Sequence, residues 1–278
     1  MQADPLAILA DLGVSAPNAV TPVSGGWDTA LWRVDAADGR RYALRVFRPE
    51  QAQTCRREAL VMRGLSDVGL PVPEVYAEDV SRNRPALLMQ WCAGRPILQD
   101  IAARPWRVWR LGVAMGRVHA RIHTVSVTDA LIDALPRINV GNGPPSVLHM
   151  DYHPLNVMTD GRSITGVLDW ANVAVGDRRL DLARSVTILR LAPTPPGTPV
   201  LLLRTLRGIL ESAWRCGYRQ ALQMNPFVDM DPLYAWAGEW MERDLRHKLG
   251  RPGVWLQESD LSRIRDWTLA RRRESAPH

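Results

Sequence analysis

Residues 146–170 hold the densest set of side chains able to do chemistry in this 278-residue chain. Val147-Leu148 is a short apolar run ending at His149. Asp151 follows in a loop that Pro154 keeps from becoming a helix. Asn156 opens a second apolar stretch, and Asp160-Gly161 is a hairpin turn signal. Ile164 to Leu168 reads as the return strand, with Asp169 at its end. This pattern projects Asp151, Asn156 and Asp169 from two loops at the same end of a small hairpin. Such a set suits phosphoryl transfer, in which a carboxylate orients a hydroxyl and accepts its proton while hard oxygen donors hold Mg2+. The alternative is a polar loop that only caps a hairpin.

The flanking elements follow from local patterning. Asp4 and Pro5 open a helix over 4–13. Residues 19–47 alternate as three strands, Val20–Val23, Ala30–Val34 and Tyr42–Phe47, with Asp38-Gly39 as a turn. Gly25-Gly26 lies between the first two, where a glycine pair lets backbone N–H groups approach phosphate oxygens or simply turns the chain. Glu50 to Ser66 reads as a helix with Ala59, Leu60, Met62 and Leu65 in one stripe. Gly69 to Pro73 breaks it, and strands follow at Glu74–Glu78 and Ala86–Trp91. The second strand empties into Cys92-Ala93-Gly94-Arg95-Pro96.

From Trp106 the chain turns helical, with Val108, Leu111, Met115, Val118 and Ile122 at spacings of three and four. His119 and His123 lie four apart, a spacing compatible with zinc, but no acidic residue sits between them and packed histidines explain the pattern better. A helix starts near Arg178 and carries Asp181 in its first turns. Asp177 reads as a cap or a substrate contact. Pro193 to Pro199 links to helices at 200–218, 231–248 and 258–273. The helix Leu233–Leu245 carries Trp236, Trp240, Glu239 and Glu242, which suits either a wall for a cationic substrate or an amphipathic helix with a solvated acidic side.

Composition narrows the class. With 46% hydrophobic residues the chain can bury a sizeable core. No apolar stretch approaches the roughly 18 residues of a membrane span, and no secretion signal is visible, so a cytoplasmic location is expected. Three scattered cysteines read as reduced thiols. The net charge is +6, yet the basic residues are dispersed, which makes nucleic acid a poor expectation and suits an anionic co-substrate. Lys248 is the only lysine.

His-Met-Asp-Tyr-His-Pro-Leu-Asn at 149–156 and Val-Leu-Asp-Trp at 167–170 resemble the aminoglycoside phosphotransferase and choline kinase-like family, small-molecule kinases related in fold to protein kinases. The resemblance implies an α+β, bilobal fold: an N-lobe antiparallel sheet plus helix over 1–92 and a mostly helical C-lobe over 93–278, with ATP between them. It implies Asp151 as catalytic base and Asn156 and Asp169 as Mg2+ ligands. His149 supports the loop, and Asp181 receives catalytic-loop backbone N–H groups. Gly25, Gly26, Arg45, Glu58 and the backbone of Gln90, Trp91 and Cys92 are the nucleotide-binding candidates.

Two positions depart from the family pattern. Met150 stands where a glycine is usual, and Arg45 stands where Lys usually holds the α- and β-phosphates. The resemblance implies Glu58 as the ion-pair partner of Arg45; a helix neighbour such as Arg57, or water, is the alternative partner. The expected function is transfer of the γ-phosphate of ATP to a hydroxyl of a small-molecule acceptor. A non-catalytic, pseudokinase-like scaffold is the alternative.

Overall fold

The computed structural model describes residues 4–23, 29–80, 84–194, 197, 199–251 and 254–274. Along the chain run α1 (Pro5–Asp11), β1 (Ala19–Pro22), β2 (Ala30–Asp35), β3 (Arg41–Val46), α2 (Ala52–Asp67), β4 (Val75–Asp79), β5 (Ala86–Gln90) and β6 (Arg95–Pro96). Then come α3 (Ile97–Ala103), α4 (Val108–His123), α5 (Asp129–Ala134), β7 (Arg137–Ile138), β8 (Pro145–Leu148), β9 (Val157–Thr159), β10 (Ile164–Val167) and β11 (Ala174–Asp177). The rest is α6 (Arg178–Leu191), α7 (Val200–Leu222), α8 (Asp231–Arg246) and α9 (Glu258–Glu274). These elements form two compact units, Met1–Gly94 with Thr165–Val173, and Arg95–Ile164 with Ala174–His278.

The first unit is built on an antiparallel sheet in the order β1-β2-β3-β5-β4. Strand alternation sorts its side chains. Tyr42, Leu44 and Val46 of β3 join Ala86 and Leu88 of β5, Val34 of β2 and Leu9 of α1 in one core. The pleat turns Ala43 and Arg45 to the opposite face. α1 begins as expected, with the Asp4 carboxylate accepting the Leu6 N–H at 3.0 Å. α2 buries Cys55, Glu58, Ala59, Met62 and Leu65, a stripe at spacings of three and four. The segment 165–173 is tied into this unit by Val167 N–H donating to Pro71 O at 2.8 Å and Thr165 Oγ1 donating to Ala93 O at 2.6 Å.

In the second unit β11 pairs antiparallel with β8 and parallel with β7, while β6 pairs with β9. The Asp160 side chain accepts the Arg162 and Ser163 N–H groups at 2.7 and 2.8 Å, and Gly161 takes φ +87°, closing the turn after β9. α4 and α7 approach backbone to backbone. A Cβ at Gly116 would collide with the Trp214 carbonyl, and one at Gly217 with that of Val113. α7 runs to Leu222, beyond the expected 218, and ends at Gln223 in left-handed backbone. α6 starts from Asp177, whose carboxylate caps the Arg179 N–H at 2.9 Å. Leu191, Met241, Leu261 and Ile264 join α6, α8 and α9.

Candidate active site

The loop between β8 and β9 places Asp151 beside two of its neighbours. Asn156 Nδ2 donates to the Asp151 carbonyl at 3.0 Å and to its carboxylate Oδ2 at 3.2 Å. His153 Nε2 lies 3.5 Å from the same oxygen. The Asp151 N–H donates to His149 Nδ1 at 3.2 Å, which fixes the imidazole under the loop. Burial alone would raise the Asp151 carboxyl; the His153 hydrogen bond, helped by His149 and Arg184, outweighs it and holds the group at about 2. Asp151 is therefore an anion at neutral pH, the form a proton acceptor needs.

Behind the loop, Asp181 of α6 is closed off from water and collects four donors. Oδ1 accepts the Met150 N–H at 2.9 Å, and Oδ2 accepts the His149 N–H at 2.7 Å. Oδ2 also faces Nε2 of His119 at 3.0 Å and of His123 at 3.1 Å. His123 Nδ1 meets the Tyr218 hydroxyl at 2.6 Å. Burial raises the Asp181 carboxyl, but His119 and His123 more than compensate, leaving it well below the usual carboxylate range. Burial, joined by His123, lowers His119 to about 4, so at neutral pH it is an uncharged ring donating from Nε2.

The carboxylate missing between the two histidines in sequence is thus supplied from α6. His119, His123 and Asp181 have the atoms to hold a metal within 4.8 Å of one another. Here Oδ2 is already engaged by three donors, and the group reads as a hydrogen-bonded knot under the loop. The knot also explains Met150. Its N–H must face Asp181, and the residue takes φ +66° with its side chain fully buried.

In the first unit Arg45 is the hub. Its Nη1 donates to Glu58 Oε2 at 2.8 Å, Nη2 to Asp169 Oδ1 at 3.1 Å and Nε to Thr29 Oγ1 at 3.1 Å. Asp169 takes φ +63°, which turns its carboxylate back from the strand end. Burial pushes Glu58 up to about 7 despite the Arg45 charge, and its Oε1 is buried without a partner among the described residues. Gln90 N–H donates to Glu74 O and Trp91 N–H to Arg41 O. The Cys92 N–H has no backbone partner among the described residues. Gly25 and Gly26 lie outside the described residues.

The predicted residues thus form two groups, Asp151, Asn156, His149 and Asp181 in one unit, and Arg45, Glu58 and Asp169 in the other. Sequence reasoning missed His153, although it stands inside the motif. It also missed Arg184, three residues after Asp181 on α6, whose Nε donates to the Met150 carbonyl at 3.3 Å. It weighed Trp236, Trp240, Glu239 and Glu242 either as a wall for a cationic substrate or as an amphipathic helix with a solvated acidic side. Here Glu239 pairs with Arg272, and Glu242 with Arg246 and Arg265, so these carboxylates serve α8 and α9.

The profile described as "Phosphotransferase enzyme family" matches residues 19–131 and 126–218. Among solved structures, a thermostable mutant of aminoglycoside phosphotransferase APH(4)-Ia, in ternary complex with AMP-PNP and hygromycin B, superposes with TM-score 0.69. It is 15% identical, covering 99% of this chain and 100% of that one. Amicoumacin kinase hAmiN, in complex with AMP-PNP, Ca2+ and Ami, gives TM-score 0.64 at 14% identity, covering 98% and 94%. Aminoglycoside-3'-phosphotransferase of type VIII gives 0.62 at 19% identity, covering 84% and 97%. These likenesses show the protein-kinase-like fold. No curated protein matches in sequence.

Proposed function

The chain belongs to the phosphotransferase enzyme family, and on that premise we propose that it transfers the γ-phosphoryl group of ATP to a hydroxyl of a small molecule. The observation that carries this reading is Asp151, an ionised carboxylate held by Asn156 and His153 on a loop that Asp181 pins from behind. The acceptor hydroxyl is oriented by Asp151 and gives it its proton. Asn156 uses Nδ2 for its side-chain contacts, which leaves Oδ1, and Asp169 has its second carboxylate oxygen beyond the one Arg45 takes. Two hard oxygens of this kind fit Mg2+. When bound there, Mg2+ supplies positive charge to the phosphate oxygens.

Arg45 anchors the α- and β-phosphates in place of the usual Lys, and Glu58 and Thr29 fix the direction of its fork. Gly25 and Gly26 offer backbone N–H groups to the phosphates, and the backbone from Gln90 to Cys92 meets the adenine. Most of the rate then comes from positioning and charge, with little covalent chemistry asked of the protein. The test is Asp151→Asn with acceptor-dependent ADP release as the readout. We expect turnover to fall about 10²–10⁴-fold with ATP binding retained. Unchanged turnover refutes the base. ATP binding by the wild type with no transfer to any alcohol supports the scaffold reading instead.

A further inference from the structure

The surroundings of Asp151 within its own unit say what kind of acceptor it serves. α8 carries aromatic residues that suit a cationic ligand, but the Trp240 ring is already occupied. The Arg184 guanidinium carbon lies 5.4 Å from the ring centroid, and that of Arg243 lies 5.4 Å from it as well. Glu239 and Glu242 are taken by arginines, as described above. A polyamine would find guanidinium groups where it needs carboxylates and a bare ring.

Arg184 is also poorly satisfied. Its side chain is 5% exposed, and it reaches Met150 O and Asp244 Oδ2 at 3.3 Å each. Charge-assisted bonds of this kind are ordinarily about 2.7–2.9 Å. Its Nη1 is buried with no partner among the described residues. Asp151 and Asp181 lie in its field but accept no hydrogen bond from it. A buried guanidinium with weak contacts and an idle amino group is costly unless another anion completes it. Asp244, on α8, meets Arg184 Nη2 at 3.3 Å from a side chain that is 41% exposed. Arg243 is exposed and forms no ion pair among the described residues.

We propose that the acceptor alcohol carries an oxyanion, a carboxylate or a phosphate monoester, and that Arg184 and Arg243 around Trp240 hold that group. The proposal rests on the phosphotransferase reading for the word acceptor. In the transfer the acceptor O–H proton passes to Asp151 and its oxygen bonds the γ-phosphorus. The bond from that phosphorus to the β-phosphate oxygen breaks and ADP leaves. The oxyanion stays unchanged and serves only to place the hydroxyl one residue from its anchor, since Arg184 holds Met150 and Asp151 follows it.

The test is calorimetric titration of the full chain, without nucleotide, with gluconate against sorbitol, glycerol phosphate against glycerol, and kanamycin. We expect an anionic probe to bind at least about tenfold more tightly than its neutral counterpart, a gap of about 1.4 kcal/mol, and kanamycin not to bind. Which of the two anions wins tells carboxylate from phosphate. Arg243→Ala, on the surface, and Arg184→Lys, which keeps the charge but not the fork, should each remove most of that preference. Equal or absent binding within both pairs, tighter binding of kanamycin, or an unchanged preference in Arg243→Ala overturns the proposal. Binding is read without transfer, so an inactive enzyme would refute the functional reading and leave this result standing on its own.

Discussion

Glu58 and Asp181 are both carboxylates on helices, 1% and 0% exposed, and each lies next to cationic or protonatable groups. Their surroundings drive them in opposite directions. Asp181 is held well below the usual range, whereas Glu58 is pushed up to about 7. Depth does not separate them; donors do. Asp181 receives two backbone N–H groups and two imidazoles. Glu58 receives one guanidinium on Oε2, and among the described residues its Oε1 receives no donor. A buried anion is held ionised here where both of its oxygens are answered. Asp181 ties His119, His123 and the backbone of residues 149 and 150 together, while the Arg45 cluster has one carboxylate oxygen unanswered among the described residues.

The strongest way to break this comparison is Asp181→Ala. It leaves two backbone donors and two rings unanswered in the interior, and we expect a loss of roughly 3–5 kcal/mol in urea unfolding. A loss under about 1 kcal/mol would mean that the knot is not what holds the loop.

Glu58→Gln should behave in the opposite way. A carboxyl raised from 4.5 to about 7 contributes stability below pH 4.5 that is lost as pH rises through 7. The neutral glutamine has nothing to lose over that window. Relative to wild type it should gain stability between pH 4.5 and 8, by up to about 3 kcal/mol, seen in unfolding midpoints across pH. A flat difference would place Glu58 with Asp181.

His119 supplies the reverse slope. Its folded value of about 4 lies below the ordinary 6.5, so the unfolded chain binds the extra proton between those limits. Wild-type stability should therefore fall as pH drops from about 6.5 to 4, and His119→Asn should lose that dependence. A slope that survives in this variant assigns it elsewhere.

The smallest effect concerns Met150. Its left-handed backbone favours glycine, but its side chain is fully buried. Both Met150→Gly and Met150→Ala should destabilise through lost burial, with the glycine variant the better by about 1 kcal/mol. Equal stabilities would show that φ +66° costs little here.

Much of the fold was legible because its signals are local. Asp4-Pro5 sets the start of α1, the alternation through Tyr42, Leu44 and Val46 sets a strand, and Asp160-Gly161 sets a turn. The family resemblance implied a pairing of Arg45 with Glu58, with Arg57 or water as alternatives, and backbone N–H groups of the loop on Asp181; the contacts seen are Arg45 to Glu58 and residues 149 and 150 to Asp181. What stayed hidden depends on contacts across long stretches of chain. The carboxylate that answers His119 and His123 comes from about sixty residues away, and Tyr218 from ninety-five. Arg184 looked like one of many helix arginines until its bond to Met150 placed it beside Asp151. The two guanidiniums against the Trp240 ring come from α6 and α8, and the pattern of α8 alone left a cation wall and an amphipathic helix both open.

The close crossing of α4 and α7 has a reach beyond packing. Gly116 and Gly217 have no reactive atoms, yet they set the gap between the helix bearing both imidazoles and the helix bearing the phenol of Tyr218. One added methyl at either position would widen that gap, unhook the phenol from His123 and loosen the string that ends at the backbone of residues 149 and 150. The alignment of Asp151 is thus gauged partly by two hydrogen atoms in the interior, on residues that no search for reactive groups would select.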